Sequence, residues 1–332
     1  MRQADVVIVG AGLAGLVAAE RLAAAGVDAV VCDKAPRVGG RCATRPVEHA
    51  RFDHGAQFFT VRSEEFADLL HGWREDGLAV KEWTRGFARA DSVSDVRSDV
   101  RVTADGHPRY IVEGGMRTLA SHLATERQVL LRTTVTRAEV RDGGWQVHSD
   151  GPDGSATIAC GALILTPPVP QSLNLLPPGL GVPDALSAIT YEPCVALLLL
   201  LDRPSGVPSP GALQFANGPV RWLADNQRKG VSTQPAVTVH AAGAESTLLA
   251  GLDDMSVAAR LASLAGHWWA PGRPQRAIVK RWRYAQPTLG HPQRSVALEV
   301  DGAPLLFAGD AFGEARVEGA VRSGLHAAAQ LG

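Results

Sequence analysis

The fold depends on how the stretch VVIVGAGLAGLVAAERLAAAG, residues 6–26, is interpreted. Two interpretations are open, and they exclude each other. An apolar run that follows Arg2 and ends in small residues is typical of an export signal, which would be cleaved away. The same letters predict a strand, a tight turn and a helix, with Gly10, Gly12 and Gly15 at the spacing of a dinucleotide-binding fingerprint. In such a site the first glycine makes the turn, the second admits a pyrophosphate, and the third lets helix and strand pack closely.

The residues that follow favour the nucleotide site. Such a site carries an acidic residue about 20 positions further on, at the end of the second strand, where it bonds the ribose hydroxyls. Residues 27–32 predict a short buried strand, and Asp33 stands at its end. Asp5 and the three glycines also interrupt the apolar run, which is too short to span a bilayer. We therefore expect phosphates at the N-terminus of the first helix, where free N–H groups favour anions.

Composition and charge narrow the classes of function. A chain of 332 residues with 45% apolar and 20% charged residues is typical of a globular protein with one large domain or two lobes. The net charge of −1 argues against nucleic acid as a partner, and no apolar run suggests a membrane. Residues 203–295 nevertheless carry eleven Lys or Arg against four acids, which favours an anionic substrate. Scattered cysteines without metal-ligand spacing predict a reducing, cytoplasmic location and no metal site. The sequence does not indicate an oligomeric state.

The order of elements predicts an α/β fold with an inserted α+β lobe. We expect a discontinuous, Rossmann-type nucleotide domain over 1–62, 110–168 and 296–332, and a mixed-sheet substrate domain over 63–109 and 169–295. Residues 82–109 lack a clear period and are expected to be irregular or weakly stranded. Helices are predicted over 64–77 and 255–267, after the glycine turn at 113–115, and from near Glu318 or Gly319; strands are predicted over 133–140, 145–148, 162–165, 195–201, 211–215, 220–224, 236–241 and 277–284.

Two further motifs suit the same ligand as the fingerprint. GGR, residues 39–41, places a flexible loop and a guanidinium near the nucleotide, although a purely structural loop explains it equally well. Near the C-terminus, a strand delivers Asp310 to a turn, where its carboxylate can bond ribityl hydroxyls while the following helix favours phosphate or a reduced flavin. A helix cap is the alternative for Asp310. Three separated motifs that serve one ligand favour a flavin dinucleotide.

The motifs together resemble the FAD-dependent amine oxidase superfamily, and more closely its bacterial renalase branch. The resemblance extends over nearly the whole chain and is weakest over 85–109. It rests on VGAGLAGL (9–16), DKAPRVGGRCATR (33–45), HGAQFFT (54–60), VRWLADNQRKG (220–230) with VTVHA (237–241), RWRYAQP (281–287) and AGDAFGEARVEGAVRSG (308–324).

The resemblance implies a p-hydroxybenzoate-hydroxylase-like topology and non-covalent FAD. It implies oxidation of a dinucleotide substrate, the 2- and 6-dihydro isomers of NAD(P)H, to NAD(P)+, with O2 reduced to H2O2, as a form of metabolite repair. Asp33 would bind the adenosine ribose, Arg41 the pyrophosphate region and Val135 the adenine. The cofactor-binding residues implied are Gly10, Gly12, Leu13, Ala14, Gly15, Asp33, Lys34, Gly40, Arg41, Gly55, Ala56, Gln57, Phe58, Val135, Pro167, Gly309, Asp310, Val317, Glu318, Gly319 and Ala320.

The resemblance also implies the residues of the substrate face. Aromatic walls suit a flat nicotinamide ring, and His240 can bond a carboxamide, although ordinary core packing explains these residue types equally well. Hydride transfer to a flavin needs stacking and exclusion of water more than a general base. The catalytic residues implied are Phe58, Asn226, His240, Trp282 and Tyr284. Arg221, Arg228, Lys229 and Arg283 are equal candidates for binding the substrate phosphates.

Two absences argue against an amine as substrate. Amine oxidases of this superfamily carry a lysine in the strand that matches residues 194–201, and CVALLLLL contains none. No cysteine follows Cys194, so the C-terminal cysteinyl-flavin link of monoamine oxidases cannot form. An amine oxidase or a desaturase remains the main alternative. A flavin-free escort protein and a classical NAD(P)H dehydrogenase are weaker ones, because GGR and AGDAF are intact and no second GxGxxG occurs.

Overall fold

The computed structural model describes residues 2–95 and 100–332. Over these residues the chain forms two large sheets, a two-stranded sheet and the helices that cover them. The predicted mixed α/β fold, with a Rossmann-like domain and a mixed-sheet substrate domain, is confirmed. In the same ranges no helix has both the length and the apolar character needed to cross a membrane.

The nucleotide sheet brings the ends of its parallel strands to one edge. It consists of β1 (Arg2–Val9), β2 (Ala29–Cys32), β7 (Gln128–Leu130), β8 (Thr134–Arg141), β9 (Gly144–Gly151), β10 (Gly154–Leu165), β16 (Val296–Val300) and β17 (Ala303–Phe307). Its main path runs β16-β17-β10-β1-β2-β7, and the hairpin β8–β9 joins it through β10. Because β1, β2, β10 and β17 are parallel, Gly10, Asp33 and Asp310, which follow three of them, share the carboxyl edge.

The substrate sheet has mixed strand directions. It consists of β5 (Val80–Ala90), β6 (Arg101–Val112), β11 (Thr190–Leu201), β12 (Ala212–Phe215), β13 (Val220–Asp225), β14 (Ala236–Ala241) and β15 (Pro274–Leu289). Their order is β15-β11-β14-β13-β12-β5-β6, and β12 pairs with β5 in parallel while the other pairs are antiparallel. A small hairpin, β3 (Thr44–Val47) and β4 (Ala50–Asp53), packs its apolar side on Leu198 and Leu200 of this sheet.

The helices are α1 (Leu13–Ala24), α2 (Glu64–Glu75), α3 (Arg117–Leu123), α4 (Val169–Leu173), α5 (Asp184–Ser187), α6 (Gly243–Leu249), α7 (Asp254–Trp269) and α8 (Val317–Ala328). Five helices, α1, α2, α3, α7 and α8, lie where the sequence predicts them, and the short helices α4, α5 and α6 were not predicted. Ser63 caps α2 by accepting a hydrogen bond from the Phe66 N–H at 3.3 Å, as its position predicts. Phe66 and Trp73 of α2 pack in the same core as α1, so this helix joins the nucleotide sheet. The exact domain boundaries stay a prediction.

The expectation for residues 82–109 is wrong for most of those that the structure describes. Residues 82–90 and 101–109 belong to the long strands β5 and β6, which pair from Val80–Val112 to Arg89–Arg101, whereas 91–95 and 100 lie outside any strand. Register shifts beside Thr84 break the alternation of apolar and polar residues, which explains why the period was not visible in the sequence. Residues 96–99 of this segment lie outside the described residues.

Candidate active site

One cavity of about 1570 Å³ extends from the carboxyl edge of the nucleotide sheet to the face of the substrate sheet. The turn after β1 forms its nucleotide end. Gly10 has φ +104°, and a Cβ there would lie 2.4 Å from the Thr166 hydroxyl oxygen. Gly12 is the N-cap of α1, and a Cβ on it would meet no heavy atom of the described chain within 4 Å. The helix N-terminus therefore faces open space that suits a pyrophosphate.

Asp33 is held rigidly beside this turn. Its two carboxylate oxygens accept hydrogen bonds from the N–H groups of Ala11 and Ala35, each at 2.7 Å. The side chain lines the cavity at the end of β2. Since each carboxylate oxygen has a second lone pair, both can still accept from ribose hydroxyls.

Arg41 and Asp310 meet on the cavity wall although they are 269 positions apart in sequence. An Arg41 Nη2 donates to Asp310 Oδ1 at 2.5 Å, and the guanidinium lies 5.9 Å from the centre of the Tyr191 ring. Burial raises the pKa of the Asp310 carboxyl, which the Arg41 charge opposes. Arg41 Nη1 is buried and has no hydrogen-bond partner among the described residues. An unpaired buried donor is costly, so this nitrogen fits an anionic or carbonyl acceptor of a bound cofactor.

His240 lies on the substrate side of the cavity. It stands on β14, opposite Ala196 of β11 and Trp222 of β13. Burial lowers the pKa of its imidazole to about 4, partly offset by a hydrogen bond with the His54 backbone, so the ring is neutral at pH 7. Its Nε2 is buried without a partner in the described parts of the chain. This nitrogen is available to a polar group of a ligand.

Aromatic rings build the walls around His240. Trp282 donates from its indole N–H to the His54 carbonyl at 2.8 Å, and the two rings stack with centres 5.3 Å apart. Tyr284 meets Tyr191 edge-on at 5.6 Å. Phe58 packs against Phe87 and Trp222 at 5.0 and 5.9 Å. These flat, rigid walls suit a flavin or nicotinamide ring.

The structure places most of the predicted site residues on this cavity. Those that line it are Gly10, Gly12, Leu13, Ala14, Asp33, Lys34, Gly40, Arg41, Gly55, Ala56, Gln57, Phe58, Val135, Pro167, His240, Trp282, Tyr284, Gly309, Asp310, Val317 and Ala320. Their roles toward a ligand stay predictions.

Four predicted residues have internal roles instead. The placement of Asn226 on the substrate face is wrong: it is fully buried, accepts from the Asp53 N–H at 3.2 Å and donates to the Thr238 hydroxyl at 2.9 Å. Glu318 is also buried and accepts from the N–H groups of Arg62 and Ser63, so it joins α8 to α2. Gly15 and Gly319 allow close backbone packing, since a Cβ would lie 2.1 Å from Gly10 O and 1.9 Å from Glu314 O, respectively.

The sequence did not indicate two residues of the cavity wall, His54 and Lys280, or Tyr191, which packs against the wall residue Tyr284. His54 stacks on Trp282, Tyr191 meets Tyr284, and Lys280 lies 4.7 Å from the Trp282 ring centre. His54 stands inside the HGAQFFT motif, and Lys280 is two residues before Trp282 on the same strand. Alternation along a strand would have indicated Lys280, whereas the position of Tyr191 depends on long-range pairing of β11 with β15.

Comparison with known proteins identifies the family. Residues 75–332 match the family of flavin containing amine oxidoreductases, and residues 8–73 match the NAD(P)-binding Rossmann-like domain. The chain belongs to the flavin containing amine oxidoreductase family. It is an FAD-dependent oxidoreductase, and the glycine turn, Arg41 and Asp310 fit that cofactor.

Two curated relatives match parts of the chain. A putrescine oxidase of Kocuria rosea is 41% identical over 102 residues, which are 31% of this chain and 20% of that protein. A hydroxyneurosporene desaturase of Rubrivivax gelatinosus is 45% identical over 62 residues, 19% of this chain and 12% of that protein. The chain therefore matches well under two thirds of the length of either relative.

Solved structures share the fold at low sequence identity. Putrescine oxidase bound to putrescine has a TM-score of 0.73 at 18% identity, covering 99% of this chain and 98% of that one. A protoporphyrinogen oxidase described as putative, from Exiguobacterium sp. 255-15, has a TM-score of 0.72 at 15% identity, with 99% and 98% covered. The chain thus shares the fold of these solved structures over 99% of its length.

Proposed function

We propose that this family member is an oxidase of an anionic substrate, namely the 2- and 6-dihydro isomers of NAD(P)H. The charge of the cavity carries the proposal: its lining includes fourteen Lys or Arg side chains and three Asp or Glu. FAD and a second dinucleotide both bring phosphates, which this excess of cations would attract, whereas it would repel an ammonium group.

The wall residues suit a dihydropyridine ring in particular. A ring against Trp282 and the neutral His240 would place its carboxamide where Nε2 of His240 lacks a partner. A carboxamide both donates and accepts, so it can pair with either tautomer of the imidazole. Bound FAD would supply the redox chemistry, the two-electron oxidation of the substrate coupled to reduction of O2 to H2O2 with one proton from solvent. The protein residues orient the ring and exclude water, and no base is needed for an already reduced ring.

We further propose that FAD is held without a covalent bond. Cys32, Cys42 and Cys194 line the cavity, and burial raises the pKa of their thiols to about 11, 12 and 12, respectively; Cys160 is buried away from the cavity lining. A thiol attacks a flavin as its thiolate, which is scarce at such a pKa.

Oxidation of an amine, or a desaturation, is the second candidate. The curated relatives support this candidate more directly than dihydropyridine oxidation, because they include a putrescine oxidase and a desaturase. A diamine such as putrescine would have to lose a proton from an ammonium group. It would also have to enter a cavity whose excess of Lys and Arg favours anions over cations.

Steady-state oxygen consumption separates the two candidates. The FAD-loaded protein is supplied in turn with 2-dihydroNAD(P), 6-dihydroNAD(P), ordinary NADH, putrescine and a set of primary monoamines. We expect turnover with one or both dihydro isomers, a KM that rises steeply with salt, and H2O2 as the product. Turnover with the amines alone would overturn the proposal and establish the second candidate.

A further inference from the structure

Three cations form a cluster at one rim of the cavity that no ion pair explains. Lys34 follows β2, Arg45 lies on β3, and Lys280 lies on β15; all three line the cavity, and Lys280 is half-buried. We call these three residues the outer cationic cluster. The hairpin that carries Arg45 lies beside β15, since Arg276 of β15 pairs with Glu48 at 3.0 Å and Ile278 packs against the apolar side of the hairpin. Lys34 comes from the end of β2, so the three charges come from both sheets and the hairpin.

The charges of this cluster are not balanced by the protein. None of the three forms a salt bridge with a carboxylate in residues 2–95 and 100–332, whereas the neighbouring Arg281 on β15 pairs with Asp254 at 2.5 Å. Burial lowers the pKa of the Lys280 ammonium, and the charges of Arg45 and Lys34 lower it further. Like charges held together are unfavourable unless an anion joins them.

Of the four cations that the sequence offered for phosphate binding, three pair with carboxylates, whereas Arg283 lies over an aromatic ring, as Lys280 does. Arg221 pairs with Glu192, Arg228 lies 3.7 Å from Asp225, and Lys229 bonds Asp53 at 2.7 Å. The Arg283 guanidinium lies 5.3 Å from the centre of the Tyr284 ring. The outer cationic cluster is therefore the better placed set of free charges.

The cluster stands at a suitable distance from the aromatic wall. Lys280 and Trp282 stand two positions apart on β15 and share one face of the strand, with the Lys280 ammonium 4.7 Å from the centre of the Trp282 ring. Two strand residues span about 7 Å, so Lys280 lies one such step beyond Trp282. A ligand whose ring lies on Trp282 and His240 would extend its next groups, a ribose and phosphate in a dinucleotide, toward Lys280.

We propose that the outer cationic cluster, Lys34, Arg45 and Lys280, binds the phosphate groups of the dinucleotide substrate. The inference rests on the proposed function and deepens it, since it assigns the substrate phosphates to residues. The phosphates of FAD are the other source of the same chemistry, and the experiment distinguishes the two.

The test measures ligand binding to the FAD-loaded protein by calorimetry, with NADP+ as the phosphate-bearing probe and nicotinamide riboside as the phosphate-free one. The variants are K280M and R45M. The control is R276M, also on β15, where Arg276 pairs at the surface with Glu48 at 3.0 Å. Losing one charged hydrogen bond should weaken NADP+ binding by about tenfold or more in K280M and in R45M. Riboside binding, FAD content and R276M should match the wild type.

Three results would overturn the inference: absence of NADP+ binding to the wild type, equal NADP+ binding by K280M, R45M and wild type, or loss of FAD from the variants in place of NADP+ binding. The last result would assign the cluster to the cofactor.

Turnover of the dihydro isomers, measured on the same proteins, separates this inference from the proposed function. If NADP+ binding depends on the cluster while no isomer is oxidised, only the proposed function fails. If the isomers are oxidised with equal KM by all variants, only the phosphate assignment fails.

Discussion

The buried pair of Lys229 and Asp53 allows a sharp prediction on stability. Both side chains are fully buried, with the Lys229 ammonium 2.7 Å from Asp53 Oδ2. The other oxygen, Oδ1, accepts from the Thr44 hydroxyl at 2.5 Å and from the Met116 N–H at 2.9 Å. In K229M one carboxylate oxygen therefore loses its cationic partner, while the carboxylate stays enclosed.

Removing one partner of a buried pair costs about 3–5 kcal/mol, because an uncompensated charge remains inside the protein. We expect K229M to lose about that much free energy of unfolding at pH 7. Adding D53N to K229M removes the charge, so the double variant should be more stable than K229M alone. The control R276M breaks an exposed pair, in which both side chains are more than half exposed, and should cost about 1 kcal/mol or less.

Urea unfolding, followed by far-ultraviolet circular dichroism with excess FAD, measures these differences. The pair also affects the cavity, because Gln57 donates to the Asp53 carbonyl at 2.7 Å and its Oε1 lies 3.5 Å from the Lys229 ammonium. K229M should therefore also shift the absorbance of bound FAD. A K229M protein as stable as R276M would refute the reasoning, and so would a double variant less stable than K229M.

Four other variants probe the site in turn. R41M should retain the fold but bind FAD about tenfold or more weakly, measured by fluorescence titration, since it removes the charged donor beside Asp310; unchanged affinity would contradict the assignment. Gly12→Val should leave the melting temperature of the FAD-free protein near normal and abolish FAD binding. Gly15→Ala should lower that melting temperature, because its Cβ would lie 2.1 Å from Gly10 O. A lower melting temperature in Gly12→Val than in Gly15→Ala would contradict this geometry. Folding lowers the pKa of His240 from 6.5 to about 4. Below pH 6.5 the unfolded chain therefore binds a proton that the native state does not bind. The free energy of unfolding should drop as pH falls from 6.5 through 4, by up to about 1.4 kcal/mol per pH unit. H240Q should show a shallower slope in melting temperature against pH; an equal slope would indicate another group.

The nucleotide end of the site was predictable because its rules are local. Gly10 and Gly12 follow from the fingerprint, and Asp33 and Asp310 from the rule that parallel strands end at one edge of a sheet. To predict these positions it is enough to know the type and order of the helices and strands, which the periodicity of apolar residues along the chain can indicate.

The substrate end was less predictable because it depends on long-range pairing. Asn226 lies in the motif VRWLADNQRKG, which was predicted to contribute to the substrate face. In the structure its side chain is buried and bonds Asp53 and Thr238 instead. Lys229 reaches Asp53, which lies 176 positions away, and no pattern in the sequence links them. The sequence did not predict the full strands β5 and β6 within residues 82–109, because register shifts interrupt the alternation of residues and β5 pairs in parallel with the distant β12.

Anaerobic single-turnover mixing tests the central claim most directly. The FAD-loaded protein is mixed without oxygen with 6-dihydroNAD(P), 2-dihydroNAD(P) or putrescine, and loss of the oxidised flavin band is recorded. A cavity lined by fourteen cations and three acids predicts rapid bleaching by at least one dihydro isomer, slowed by added salt, and none by putrescine. Bleaching by putrescine while both isomers leave the flavin oxidised would contradict the proposed function.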